Sequence, residues 1–198
     1  MTSQNRVIYE PKGRAQEYAG LAARVFETCE HACRYCYVPH IMHKDSKDFF
    51  APTRARKNLI PKLLLEAKVL KKNHEKREIL LTFTSDAYQS DSKICKETTR
   101  RVLSILLNSN LNVTVLTKGG KRSLRDIDLF KFYKDQFTYG ATLVFSNDSD
   151  SLFYEPNAAP TSERIDVLKT IHDEGIRTWV SIEPAWSIEG SIDIIERT

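Results

Sequence analysis

Short apolar runs alternate along the chain with longer stretches in which apolar side chains recur every third or fourth position. The runs Arg24–Phe26, Glu78–Phe83, Asn112–Leu116, Thr138–Phe145 and Arg177–Ile182 are rich in β-branched, Leu or aromatic residues. Strands buried on both faces have that composition. Between the runs the period lengthens. Leu63, Leu64, Ala67, Val69 and Leu70 follow Pro61, which suits the first turn of a helix. Thr99, Val102, Leu103 and Leu106 mark one face of a second helix. Ser123 and Asp126 are spaced as a capping pair ahead of Ile127 and Phe130. Thr161 is placed to cap a helix carrying Ile165, Leu168 and Ile171, which Gly175 closes.

Repetition of strand and helix predicts an α/β fold with a parallel sheet and right-handed crossovers. Two arrangements satisfy it, part of a (β/α) barrel or an open doubly wound sheet, and both bind ligands at the carboxyl ends of the strands. The reading adopted is a partial (β/α) barrel of about five to six strand–helix units. It treats residues 1–198 as one domain, with 1–23 an N-terminal extension and 24–198 the partial barrel. The final segment, from Gly190 to Thr198, reads as a helix that has just begun. A closing strand is expected after it, so a truncated form of something longer is one expectation.

Composition narrows the class without naming a function. The chain has 198 residues, enough to bury a core, and no stretch approaches the roughly 18 uninterrupted apolar residues of a membrane span. Met1-Thr2-Ser3-Gln4-Asn5-Arg6 lacks the apolar centre of a secretion signal, so the cytoplasm is the expected compartment. A net charge of +4 permits contact with nucleic acid but does not argue for it.

The cysteines carry the strongest chemical signal. Three of the four, Cys29, Cys33 and Cys36, lie within eight residues, directly after the first candidate strand. In a cytosolic chain such a cluster reads as a metal site before it reads as disulfides. Three thiolates on one loop can hold three irons of a four-iron cluster and leave the fourth open to an exogenous ligand. The alternative is zinc, with His31, His40 or His43 completing a Cys3His site in a non-catalytic nucleic-acid-binding module.

The stretch Cys29-Glu30-His31-Ala32-Cys33-Arg34-Tyr35-Cys36-Tyr37, of spacing C-x3-C-x2-C with an aromatic before the third cysteine, resembles the radical S-adenosylmethionine (SAM) superfamily. Further stretches resemble its spore photoproduct lyase-like branch. They are Ile8 to Ala15, Glu17-Tyr18, Phe83 to Gln89, Thr117-Lys118-Gly119, Tyr154-Glu155-Pro156 with Arg164-Ile165, and Ser181-Ile182-Glu183-Pro184. The resemblance implies a [4Fe-4S] cluster on Cys29, Cys33 and Cys36. It also implies SAM chelating the open iron, and reductive cleavage to a 5′-deoxyadenosyl radical that takes hydrogen from a substrate. It further implies a reductant such as flavodoxin or ferredoxin, and allows a nucleic-acid base as substrate. A truncated, inactive homologue is the remaining reading.

Within that frame Tyr35 is expected near adenine, and Tyr37 is the candidate for passing a hydrogen atom. Ser85 and Asp86, after the second strand, offer polar groups for the cofactor's ammonium, although both are also ordinary helix-cap residues. Lys118 can meet its carboxylate, and Gly119 and Gly120 allow close backbone approach. Ser146 is a candidate for the ribose hydroxyls, or a turn residue. Glu183 is a cofactor contact or a partner to a nearby cation, and Glu155 is equally ambiguous. Lys121, Arg122 and Arg125 either hold a phosphate backbone or form solvated surface. In the branch a fourth cysteine donates hydrogen from the position of Phe83 here, whereas Cys95 lies at helical spacing from Thr99, Val102 and Leu106 and is expected to be buried.

Overall fold

A computed structural model describes residues 6–198. Met1–Asn5, on which the reading of the leader rested, lie outside the described residues. Six strands form one sheet in the order in which the chain makes them: β1 (Ile8–Tyr9), β2 (Leu21–Ala23), β3 (Ile79–Leu81), β4 (Val113–Thr117), β5 (Phe137–Thr142) and β6 (Arg177–Ser181). β1 pairs antiparallel with β2, and every later pair is parallel. A strand order that never reverses puts successive crossovers on one side, which is barrel winding rather than the doubly wound alternative. The sheet does not close, and β1 and β6 are its edges.

The helices are α1 (Val38–Ile41), α2 (Ser46–Phe49), α3 (Leu59–Lys72), α4 (Lys93–Asn108), α5 (Ile127–Phe132), α6 (Asp148–Tyr154), α7 (Thr161–Asp173) and α8 (Ile188–Arg197). Leu63 and Ala67 of α3, Val102, Leu103 and Leu106 of α4, and Ile165, Leu168 and Ile171 of α7 share one core with Leu81, Val115 and Tyr139 of the sheet. Side chains alternate across a strand, so the opposite face carries a second, smaller cluster. There Ala22 and Leu80 meet Ala19, Tyr18 and Phe83, and the N-terminal segment fills the inside of the half-barrel. Among the described residues no helix is long and apolar enough to cross a membrane.

Several expected boundaries move, each for a local reason. The first parallel strand is Leu21–Ala23, not Arg24–Phe26, because Arg24–Phe26 turns away to residues 54–56. Phe26 bridges Ala55, and Val25 O accepts from Arg56 N at 3.0 Å. Ser123 and Asp126 do not cap: Ser123 Oγ lies on Gly120 O at 2.7 Å and beside Tyr139 Oη at 2.9 Å, inside a 3₁₀ turn over 120–126. Thr161 sits one residue inside α7 and donates its hydroxyl to Phe145 O at 2.7 Å. Gly175 does close that helix, at φ +74°. Helix α8 begins earlier than expected because Ser187 caps it, accepting from Gly190 N at 2.9 Å.

Candidate metal centre and its surroundings

The cysteine loop runs from the end of the β2 segment into α1. Cys29 N donates to Phe49 O at 2.9 Å and Cys36 N to Cys33 O at 3.1 Å, while Ala32 turns the chain at φ +52°. All three thiols are free and half-buried. Burial pushes the Cys29 thiol well above its ordinary range and Cys33 up to about 12. Anionic sulfur is costly here unless a cation arrives with it, so metal binding would release protons.

Among the described residues no three His, Cys, Asp or Glu side chains stand close enough together to grip a single ion. His31, the histidine inside the motif, is buried with both ring nitrogens turned to the protein. Nε2 lies 3.1 Å from Asp86 Oδ2 and Nδ1 lies 3.3 Å from Asn157 O. His40 and His43 are exposed. Three free thiols on one loop, with His31 turned to Asp86 and Asn157 instead, are a donor set suited to a thiolate-ligated cluster with an open corner.

Three groups tie this loop to its neighbours, Asp86 and Glu155 buried and Asn157 exposed. The first is Asp86. Its Oδ1 accepts from Tyr88 N at 2.7 Å and Thr117 Oγ1 at 2.6 Å, and its Oδ2 from Lys118 N at 2.8 Å, beside His31. Burial alone would raise this carboxyl, but His31, Thr117 and Lys118 N hold it well below the usual carboxylate range. The second is Asn157, whose Nδ2 donates to Glu30 O at 2.8 Å and whose N donates to His31 O at 3.3 Å. The third is Glu155, fully buried. It accepts from Tyr35 Oη on one oxygen and from Arg164 Nη2 at 2.5 Å on the other. Lys118 Nζ lies 3.9 Å from Glu155 Oε1 and 5.8 Å from the centre of the Tyr35 ring.

The expected site residues therefore divide. Tyr35 and Lys118 converge beside Cys33 and Cys36. Asp86 is at the same place, its two oxygens in contact with four internal groups. Ser85 is half-buried next to it, its Oγ 3.0 Å from Thr82 Oγ1. Tyr37 is 55% exposed at the start of α1. Among the described residues the side chains of Ser146 and Glu183 do not enter the hydrogen-bonded network. Ser146 lies near the start of α8, and exposed Glu183 lines a groove of about 770 Å³ with Tyr18, Glu78 and Trp179.

Other expectations change more sharply. Gly119 and Gly120 do permit close approach, but to the protein itself. A Cβ on Gly119 would stand 2.5 Å from Tyr88 Cβ, and one on Gly120 2.5 Å from Ala159 Cβ. Arg122 and Arg125 are half-buried and bonded to the protein itself, not solvated surface. Arg122 Nη1 donates to Asn157 O at 3.0 Å and Gln89 O at 3.2 Å, and Arg125 Nη1 to Ser90 O at 3.1 Å. Cys95 is buried, its Sγ 3.5 Å from Ala87 O. Sequence reasoning missed Asn157 and left Arg164 as a motif letter. It also missed the ring cluster of Phe145, Tyr154 and Trp186, in which Phe145 stacks on Tyr154 at 5.0 Å and Tyr35 lies 6.2 Å from Phe145. The only sequence signal for the buried ion pair was a glutamate and an arginine on either side of one helix start.

Comparison with known proteins gives a consistent result. The family model described as the radical SAM superfamily matches residues 24–183. An uncharacterized protein of Methanocaldococcus jannaschii is 30% identical over 156 residues, covering 79% of this chain and 56% of that protein. An uncharacterized protein of Acidianus two-tailed virus is 27% identical over 165 residues, covering 79% and 52% respectively. A spore photoproduct lyase complexed with dinucleoside spore photoproduct superposes with a TM-score of 0.72 at 13% identity, covering 94% of this chain and 53% of that one. A mutant of the lyase with bound AdoMet and dinucleoside spore photoproduct gives 0.74 at 14%, covering 96% and 53%. The chain thus spans about half the length of the proteins it matches, and the structural likeness is one of fold.

Proposed function

The chain belongs to the radical SAM superfamily, and on that premise we propose that residues 1–198 act as one catalytic core, with Cys29, Cys33 and Cys36 holding a [4Fe-4S] cluster whose open iron takes SAM. When bound, that pair supplies reductive cleavage of SAM to a 5′-deoxyadenosyl radical able to take hydrogen from a substrate. Acid–base side chains cannot remove hydrogen from unactivated carbon, which is why such chemistry is delegated to a cofactor. The protein's part is binding, orientation and exclusion of water.

Lys118 presents its ammonium to the SAM carboxylate from the end of β4. Tyr35, fixed through its hydroxyl, offers an edge of the adenine site together with Phe145. Ser85 faces the ammonium of SAM, and Ser146 and Glu183 stand at the ends of β5 and β6 for the nucleoside half. Tyr37, exposed beside Cys36, is the residue we assign to passing a hydrogen atom. A small electron carrier such as flavodoxin or ferredoxin is the reductant, and a nucleic-acid base is the substrate class we take first. The lyase neighbours in complex with dinucleoside spore photoproduct support that choice. Phe83 stands where that branch has its donor cysteine, so repair of the photoproduct itself is not part of the proposal.

The observation that supports the reading is three free, half-buried thiols on one loop, with Lys118 near Cys33 and Cys36 and 5.8 Å from the centre of the Tyr35 ring. Anaerobic reconstitution with iron and sulfide, then dithionite and SAM, tests it. The expected result is 5′-deoxyadenosine from the parent and none from Cys33→Ala. A colourless protein holding one zinc and giving no product would replace it with the binding-module reading.

A further inference from the structure

The buried ion pair behind Lys118 has a feature that stability alone does not explain. Glu155 and Arg164 are 0% and 1% exposed, and burying charges costs several kcal/mol per ion unless each is fully paired. Each nitrogen of Arg164 is engaged: Nε donates to Ala159 O at 2.7 Å, Nη1 to Thr142 O at 2.9 Å and Nη2 to Glu155 at 2.5 Å. Glu155 spends one oxygen on Arg164 and the other on Tyr35 Oη. Lys118, whose side chain is 18% exposed, is the third charge. Its 3.9 Å separation from Glu155 is that of an ion pair longer than a hydrogen bond, so the carboxylate holds the lysine only loosely.

We infer that Arg164 is a positioning residue that acts through charge balance: by taking the negative charge of Glu155, it leaves the ammonium of Lys118 free at the rim for the carboxylate of SAM. The three groups together carry one net positive charge. Without Arg164 the nearest partner for Lys118 would be Glu155, the group would be neutral, and the lysine would be drawn inward. The hydroxyl of Tyr35 works in the same direction by occupying the oxygen of Glu155 that faces Lys118. Tyr35 and Lys118 are thus set by one buried carboxylate, and Arg164 decides which way the lysine turns. The inference rests on the proposed cofactor site.

Equilibrium dialysis of SAM against cluster-reconstituted protein, with binding expressed per loaded cluster, tests it. Arg164→Met is expected to weaken SAM about tenfold or more, the loss of a hydrogen bond to a charged group. The binding of 5′-methylthioadenosine, which lacks the carboxylate, stays within twofold. Arg164→Lys, which keeps the charge, is expected to restore most of the affinity. The double variant Glu155→Gln with Arg164→Met removes both buried charges, frees Lys118 again, and is expected to recover SAM affinity. It also keeps the test open if the single variant folds poorly. Equal SAM affinity per loaded site in all variants, with only the melting temperature changed, would overturn the inference and leave the pair purely structural. A double variant as weak as Arg164→Met would overturn it too. A parent protein that loads a cluster but binds no SAM would sink the proposed function itself, and this inference with it.

Discussion

The rim around the cysteine loop and the edge formed by β6 and α8 are built on opposite principles. At the rim Asp86, Glu155 and Arg164 are buried, each beside a partner of opposite charge or an imidazole. Asp86, Glu155, Asn157 and Arg164 make fixed contacts that join the cysteine loop to the loops after β3, β4 and α6. At the edge the reverse holds, because Ile188, Ile192 and Ile195 of α8 and Trp186 are 50–75% exposed and only Ile194 of that helix is buried. β6 is paired on one side only. A buried hydrogen-bond network has few alternative arrangements, whereas exposed apolar contacts are non-directional. The difference shows what fixes the loop of three thiols: directional contacts to its neighbours rather than apolar packing alone.

The sharpest way to break the contrast is to remove one member of the rim. Arg164→Ala takes from buried Glu155 its hydrogen-bonded cation, leaving only the more distant Lys118, and is expected to cost about 3–5 kcal/mol in urea unfolding of the metal-free protein. A loss under about 1 kcal/mol would mean that the pair is solvated in practice.

Asp86→Asn comes next, at about 1–3 kcal/mol near neutral pH, because it unsettles a buried acceptor with four contacts. Here the sign with pH is fixed. The Asp86 carboxyl is lowered in the fold, so its contribution is present above the unfolded value of about 4 and disappears as pH falls through the lowered folded value. The gap between parent and variant should therefore be full at pH 6 and narrow steadily on acidification. A gap that widens in acid contradicts the assignment.

Cys33→Ala should abolish iron binding while changing the metal-free stability by only about 1 kcal/mol, since the loop is held by its neighbours rather than by its thiols. Circular dichroism and urea midpoints would check it. Smallest of all, Ile192→Ser on the open edge should fall within about 0.5 kcal/mol of the parent. A larger loss would show that this face is packed in solution.

What could be read from the chain follows the same division. Strands β3 to β6 announce themselves as short apolar runs and helices α3, α4 and α7 by a face with its own period, both local properties of the sequence. The cysteine spacing is local too. β1 is two residues long and carries no period, and Leu21–Ala23 is a small apolar run outscored by the bulkier Arg24–Phe26 beside it. The rim was the hardest part. Whether Asp86 faces a ligand or His31, and whether Gly119 makes room for a cofactor or for Tyr88, depends on segments that meet only after the half-barrel has wound. Glu155 and Arg164 looked like ordinary charges because nothing in nine residues of sequence says that both will be sealed from water.

The most direct test of the account is the iron and acid-labile sulfide content of anaerobically reconstituted protein, measured for the parent and for Cys29→Ala, Cys33→Ala, Cys36→Ala and Cys95→Ala. The account predicts about four irons and four sulfides per chain, the content of a [4Fe-4S] cluster, in the parent and in Cys95→Ala, and loss of both in each of the other three. Retention of a full cluster after removal of any one of the three loop cysteines would contradict it, as would its loss with Cys95.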